Sequence, residues 1–270
     1  MLGPMERKRL AIVGCGKLAA IITDALNADL LPDYQLIAAY SRTAAKAQYI
    51  ADKIDSTKTG YSCTVCGSIE ELLALKPDYI IEAASPYSMR DIALPALKNG
   101  SSIVTLSIGA FADTEFYEEV KRTAKENNTR VHLVSGAIGG FDVMRTAALM
   151  GHCTATFDTE KSPRSLRKSS VYEESLETEK KQVFAGNAKE AIALFPTSVN
   201  VAVAASLASV GPENIKVSVT STPGFVGDNH RIEVKNEQVH AVIDVYSSTA
   251  QIAGWSVVNT LRNITSPIVF

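Results

Sequence analysis

Leu10-Ala11-Ile12-Val13-Gly14-Cys15-Gly16-Lys17-Leu18-Ala19-Ala20 reads as a buried apolar strand, a glycine turn and the first turn of a helix. Gly14 suits a tight turn, and Gly16 leaves backbone amides open to an incoming anion. Ala19, at the third position of a G-x-G-x-x-G/A pattern, lets the helix pack close to the strand. The helix that follows, LAAIITDALNADL, aims its positive end at the same point. Together these features predict a cradle for a dinucleotide pyrophosphate. Gly14, Gly16, Lys17 and Leu18 are its candidate residues.

Outward from this stretch, short apolar runs alternate with helical periodicity as far as about Gly136: YQLIAAYS, TAAKAQYIADKI, SCTVC, IEELLAL, DYIIEAA, MRDIALPALKNG, SSIVTLS, TEFYEEVKRTAKENN and RVHLVSG. Such alternation gives an α/β fold, a Rossmann-type doubly wound parallel sheet with helices on both faces. Ser68 with Glu71 three residues on predicts a capping box. Ligands of these sheets lie beyond the carboxyl ends of the strands. Ser41-Arg42, Ala84-Ser85 and Ser107-Ile108-Gly109 are therefore expected to face one crevice.

After Gly136 the texture changes. Strand-like HCTATFDTEK, NIKVSVTSTP, HRIEVKN and QVHAVIDVYS are separated from the helical runs FDVMRTAALM, NAKEAIALF and VNVAVAASLASV. Segregated strands and helices predict an α+β substrate domain with an antiparallel sheet open to solvent on one side. The expected organisation is a dinucleotide-binding domain over 1–136 and a substrate domain over 137–245. A C-terminal helical segment, 246–270, is expected to pack back on the first domain.

Composition narrows the function. The 270 residues carry 27 Lys and Arg against 29 Asp and Glu, a net charge of −2, which provides no basic field for nucleic acid or an anionic membrane. The longest weakly polar run, Val199 to Val210, is too short to span a bilayer. Glu6-Arg7-Lys8-Arg9 leads straight into the first strand without a small-residue cleavage site, so the chain is expected to be cytoplasmic. Cys63-Thr64-Val65-Cys66 has metal-knuckle spacing but lacks a second pair. On a strand its two side chains would point to opposite faces, and no metal site is expected.

The cofactor is read from the end of the second strand. A carboxylate about 20 residues after the glycines would bind a ribose 2′-hydroxyl. Tyr40-Ser41-Arg42 stands there instead, a hydroxyl and a guanidinium suited to a 2′-phosphate. NADP is favoured over NAD on that ground; the alternative is that Arg42 simply begins a helix on a solvated surface. Nicotinamide chemistry on an amine or alcohol also needs a proton-transfer group. Of four histidines, His132, His152 and His240 lie in or at the start of strands. His230 ends the loop Pro223–Asn229, which can deliver a side chain into a cleft, or leave it on a loop surface.

Four segments in order, Gly14-Cys15-Gly16-Lys17-Leu18-Ala19, SGAIGGFD (Ser135 to Asp142), FAGNAKEAIALFPTSVNVAVAASLA (Phe184 to Ala208) and Asn229-His230, resemble the L-aspartate dehydrogenase family. The resemblance implies a Rossmann domain plus an α+β domain, usually in a homodimer. It also implies reversible NAD(P)-dependent conversion of L-aspartate to oxaloacetate and ammonia through iminoaspartate, which in some members supplies NAD synthesis. Carried over by motif, Ala137 and Asn200 resemble cofactor contacts and His230 the active-site histidine. Asn200 suits a nicotinamide amide, or else bonds nearby backbone at a helix start. The chain departs from the family at Ser198-Val199-Asn200, where N-x-N is common, and at Tyr246-Ser247-Ser248-Thr249-Ala250, where the family has N-P-K-T-S. Cations for a dicarboxylate are sought in Lys161, Arg164 and Arg145. Another amino acid or oxo acid as substrate, or a non-catalytic dinucleotide sensor, remain the alternatives.

Overall fold

The computed structural model describes residues 6–57 and 60–270. The chain forms two compact units. The first holds the residues up to Ala110, Thr114–Val134 and Ala253–Phe270; the second holds Phe111–Asp113 and Ser135–Ile252.

In the first unit six strands form a wholly parallel sheet: β1 (Lys8–Val13), β2 (Tyr34–Tyr40), β3 (Thr64–Val65), β4 (Tyr79–Glu82), β5 (Ser102–Thr105) and β6 (Val131–Leu133). Their spatial order is β3-β2-β1-β4-β5-β6, in which the chain reverses direction across the sheet between β1 and β4. This is the dinucleotide-binding order with its switch point at the carboxyl end of β1. Helices α1 (Lys17–Asn27), α2 (Ala44–Asp55), α3 (Ile69–Ala74), α4 (Pro86–Lys98) and α5 (Thr114–Glu126) make the crossovers. Because helices cover both faces, β1 is apolar without alternation: Leu10, Ala11 and Ile12 are all fully buried. α1 turns Ala19, Ile22, Ala25 and Leu26 inward at helical spacing, and Ala19 is completely buried, as close helix–strand packing requires. Burying Ile22 or Leu26 is worth roughly 1.5–3 kcal/mol each.

Two local expectations are corrected here. The third strand is only two residues long, so Cys63 and Cys66 flank it; both thiols are buried and unbridged. The cap of α3 is also simpler than a capping box. Ser68 Oγ accepts from the Glu71 amide, but the Glu71 carboxylate accepts from Gly67 N–H.

The second unit contains α6 (Phe141–Leu149), β7 (Thr154–Lys161), α7 (Pro163–Leu166), β8 (Lys181–Gly186), α8 (Ala188–Leu194), α9 (Asn200–Leu207), β9 (Lys216–Ser221), β10 (Asp228–Lys235) and β11 (His240–Ser247). Its five strands are ordered β11-β10-β7-β9-β8. The sheet is mixed, correcting the antiparallel expectation: β7 and β9 run parallel at its centre. Parallel neighbours need a long crossover, and here it takes in α7, β8, α8 and α9. Strict alternation marks the covered face. β7 buries Ala155, Phe157, Thr159 and Lys161; β10 buries His230, Ile232 and Val234; β9 buries Val217, Val219 and Ser221. The last helix, α10 (Gln251–Thr265), places Val257, Val258 and Leu261 in the apolar core that contains Leu10, Ile12 and Leu36 of the first unit. Tyr34 Oη in that core donates to Leu261 O at 2.7 Å. Among the described residues no helix is long and apolar enough to cross a membrane.

Candidate functional site

In the first unit, the carboxyl ends of β1, β2 and β4 open onto a cleft of about 360 Å³. Gly14, Gly16, Ser41, Arg42, Ala84 and Ser85 all line it; Lys17 and Leu18 do not. The two glycines serve different ends. Gly14 has φ +89°, and a Cβ there would lie 2.6 Å from Ala83 C and 2.7 Å from Ala84 N, so packing against the β4 loop alone excludes a side chain. Gly16 is extended, with φ −89° and ψ −160° at the N-cap of α1, and a Cβ there would meet nothing within 4 Å. Its bareness is not demanded by any neighbour in the protein. The space beside it, at the amino end of α1 with no side-chain cap, has the geometry and the charge that a diphosphate needs.

The rim is held from below. Gly14 N–H donates to Tyr40 O at 3.0 Å, and Ala83 N–H to Val13 O at 2.8 Å. Glu82, completely buried at the end of β4, accepts from the amides of Ala84 and Ser85 at 3.0 and 3.1 Å and from Thr105 Oγ1 at 2.9 Å. Burial raises the pKa of this carboxyl, against the pull of those hydrogen bonds. Ser85 Oγ is committed to capping α4 through Ser88 N–H. Cys15 sits under the turn with its thiol pushed up to about 11 by burial, which keeps it protonated and unreactive.

Glu82 and Lys46 were missed by sequence reasoning. Lys46 lines the cleft with Arg42. Its signal was available in the first turn of α2, just after Arg42. That of Glu82 was a lone acid closing the apolar run Tyr79-Ile80-Ile81.

In the second unit the structure corrects the location of His230. It is the third residue of β10, not the end of a loop, and is only 3% exposed. Its ring stacks on Phe157, centroids 5.5 Å apart. Nδ1 is buried and has no hydrogen-bond partner among the described residues. Burial first, then the neighbouring Lys161 ammonium, pull its pKa down to about 4, while Asp228 pulls the other way. At neutral pH the imidazole is therefore uncharged and able to accept a proton. Lys161, at the end of β7, pairs its Nζ with Asp228 Oδ1 at 2.8 Å, the lysine buried and the aspartate partly exposed. Arg145 and Arg164 are exposed, so Lys161 alone of the three sought cations joins His230.

Ala137 and Asn200 stand in segments that meet through Gly136 and Val201. Ala137 lies in the turn after Ser135, and Asn200 is the first residue of α9. Gly136, at φ +60°, has no room for more than a Cβ 3.2 Å from Val201 Cγ1, so the turn sits directly against the start of α9. The other histidines lie elsewhere. His132 is part-buried against Tyr79, His152 is exposed, and exposed His240 Nε2 lies 3.1 Å from Glu233 Oε2.

Comparison with known proteins bears on both units. Residues 14–134 match the family model described as homoserine dehydrogenase, NAD binding domain, and residues 142–264 that described as aspartate dehydrogenase, C-terminal. L-aspartate dehydrogenase from Methanococcus maripaludis is 31% identical over 271 residues, covering 96% of this chain and 98% of its own. That from Methanosarcina acetivorans is 33% identical over 272 residues with the same coverage. The crystal structure of aspartate dehydrogenase from Thermotoga maritima matches with a TM-score of 0.76 at 26% identity, over 98% of this chain and 100% of that one. A myo-inositol 2-dehydrogenase from Lactobacillus plantarum, 11% identical with a TM-score of 0.57, shares the fold alone over 95% and 88% of the two chains. With relatives above 30% identity along nearly its whole length, the chain belongs to the L-aspartate dehydrogenase family.

Proposed function

We propose that the protein is an NAD(P)-dependent oxidoreductase acting on the CH–NH2 group of L-aspartate, reversibly and through iminoaspartate to oxaloacetate and ammonia. The observation that carries this reading is His230, a buried imidazole kept neutral at physiological pH and braced on Phe157 in a chain of this family. The bound nicotinamide supplies hydride acceptance from the substrate Cα. The residues of this chain supply the rest. Gly14 shapes the turn, and the α1 amides beside Gly16 bind the diphosphate. Ala137 and Asn200 are assigned to the nicotinamide end, where the Asn200 carboxamide can exchange hydrogen bonds with the ring amide. His230 takes a proton from the water that adds to the imine carbon, and returns one as ammonia leaves; in the reverse direction it assists collapse of the carbinolamine.

NADP is the favoured cofactor. Arg42 and Lys46 line the cleft beside Ser41, with no carboxylate among its residues at the end of β2 to repel a 2′-phosphate. The working form is proposed to be a homodimer, which sedimentation equilibrium would read directly.

The test is steady-state turnover, followed by nicotinamide absorbance, with L-aspartate in one direction and oxaloacetate plus ammonium in the other. It is run with both cofactors and against a panel of other amino and oxo acids. L-Aspartate is expected to give the highest kcat/KM of the panel, and NADP the higher kcat/KM of the two cofactors. Turnover only with a different amino or oxo acid would reassign the substrate, a point sharpened by the absent lysine and proline at Tyr246–Ala250. Tight cofactor binding without turnover of any panel member would leave a dinucleotide sensor.

A further inference from the structure

The covered face of the second sheet is apolar along most of its length and polar at one end. Going along β7, the inward side chains are Ala155, Phe157, Thr159 and Lys161; along β9, Val217, Val219 and Ser221; along β10, read from its far end, Val234, Ile232 and His230. Register brings the polar members side by side. Lys161 stands opposite Ser221 across β7–β9, and Thr159 opposite His230 across β7–β10. Residues facing each other this way have Cβ atoms only about 5 Å apart. Four polar side chains from three strands thus form one patch.

All four are deeply buried: Ser221 is 0%, Thr159 2%, His230 3% and Lys161 5% exposed. Three of them present a polar atom without a hydrogen-bond partner among the described residues, namely Ser221 Oγ, Thr159 Oγ1 and His230 Nδ1. Each such atom destabilises the fold, and native proteins hold few of them. Here three are gathered at a single end of a single sheet, beside a buried ammonium. Their chemistry is also one-sided. Two hydroxyls and a lysine with one of its three N–H groups given to Asp228 Oδ1 offer donors in excess. The complement of such a set is a compact anion that only accepts.

We infer that Thr159, Lys161 and Ser221 form the subsite for a carboxylate of the substrate, adjoining His230. The inference rests on the proposed dicarboxylic amino-acid chemistry and names the groups that recognise it. Thr159 and Ser221 donate one hydrogen bond each through their hydroxyls, and Lys161 a charge-assisted one. An inorganic phosphate would satisfy the same donors, so the two anions are compared directly.

The experiment is titration calorimetry of the full chain, saturated with NADP+, against succinate and against inorganic phosphate. It is repeated for Thr159→Val, Ser221→Ala and Lys161→Gln. Succinate is expected to bind the wild type more tightly than phosphate. Thr159→Val and Ser221→Ala should each weaken succinate about fivefold, and Lys161→Gln about tenfold or more, with NADP+ affinity unchanged. In turnover, Ser221→Ala should raise KM for L-aspartate while kcat stays within about threefold of wild type. A purely structural role predicts the opposite pattern in stability. Because Thr159→Val removes an unpaired buried hydroxyl at nearly constant volume, that variant should melt no lower than wild type while binding succinate more weakly. Succinate affinities within twofold of wild type in all three variants, tighter phosphate than succinate, or no succinate binding at all would overturn the subsite. A wild type that turns over L-aspartate while its variants bind succinate normally refutes this inference alone. A wild type that binds succinate through these groups yet oxidises no aspartate refutes the proposed function and leaves the subsite standing.

Discussion

The cleft at the end of the parallel sheet and the polar end of the mixed sheet are made of different material. In the first, backbone does the shaping: a left-handed glycine, a bare N-cap and two amides fixed on a buried carboxylate. In the second, side chains do it, with Thr159, Lys161, Ser221, Asp228 and His230 drawn from three strands spread over about seventy positions of sequence. A site of amides is written by neighbours in the chain, because a turn and a helix start are local events. A site of side chains is written by strand register, which only the folded sheet sets.

The sharpest way to break the comparison is to remove a side chain from the second region and look for an effect in the first. His230→Ala is expected to lower turnover by about 10²–10⁴-fold, the range of a lost general acid–base. Affinity for NADPH, measured by fluorescence titration, should stay as it was. Equal losses of turnover and of cofactor affinity would show that the histidine supports the fold instead of the chemistry.

Two glycines of one motif have different meanings. Gly14→Ala forces a side chain into φ +89° and against Ala83 C at 2.6 Å, so it should cost about 2–4 kcal/mol of stability in denaturant unfolding and take cofactor binding with it. Gly16→Ala meets no protein atom within 4 Å. It should fold as wild type does and yet bind NADP about tenfold more weakly, because the new methyl occupies space meant for a diphosphate oxygen. Equal cofactor affinity in Gly16→Ala and wild type would remove the diphosphate from that corner of the cleft.

The same distinction explains what could be read before folding. The alternation of strands and helices in the first unit, the glycine turn and the buried Ala19 were legible because each rests on a local pattern of apolar residues and turn residues. Arg42 was legible as well, but Lys46 joins it only through the first turn of α2. In the second unit β7, β9, β10 and β11 were found by their alternation, whereas β8 was not, and neither was the parallel pairing of β7 with β9, since β8 and three helices intervene. His230 was picked out for its loop and holds its place for another reason: it is the inward member of an alternating strand that begins at Asp228. Thr159 and Ser221 look like any other strand residues until register sets them beside Lys161 and His230.

A milder change tests the cofactor rim by charge alone. Arg42→Ala and Lys46→Ala should each raise the Kd for NADP about tenfold while leaving NAD within about twofold, the pattern of a lost charge-assisted contact to a 2′-phosphate. Both cations are exposed, so raising the salt concentration should shrink the difference. Loss of NAD and NADP binding alike would place the two side chains in contact with the part the cofactors share.

The smallest expected effect is a pair of opposite pH shifts. His230 lies depressed toward about 4 by burial and by Lys161, with Asp228 opposing them. Lys161→Gln withdraws a positive neighbour and should move the acid limb of the kcat/KM profile to higher pH. Asp228→Asn withdraws a negative one and should move it lower, in each case by less than about one unit. Folding stability carries the same sign. The unfolded chain takes up a proton on this imidazole at its ordinary value of 6.5, before the folded one does. Stability is therefore fully present above that value and is lost as pH falls toward about 4. His230→Phe, which cannot charge, should flatten that part of the stability profile in urea titrations. Shifts of the acid limb in the same direction for Lys161→Gln and Asp228→Asn would mean that the group titrating in turnover is not the imidazole beside that ion pair.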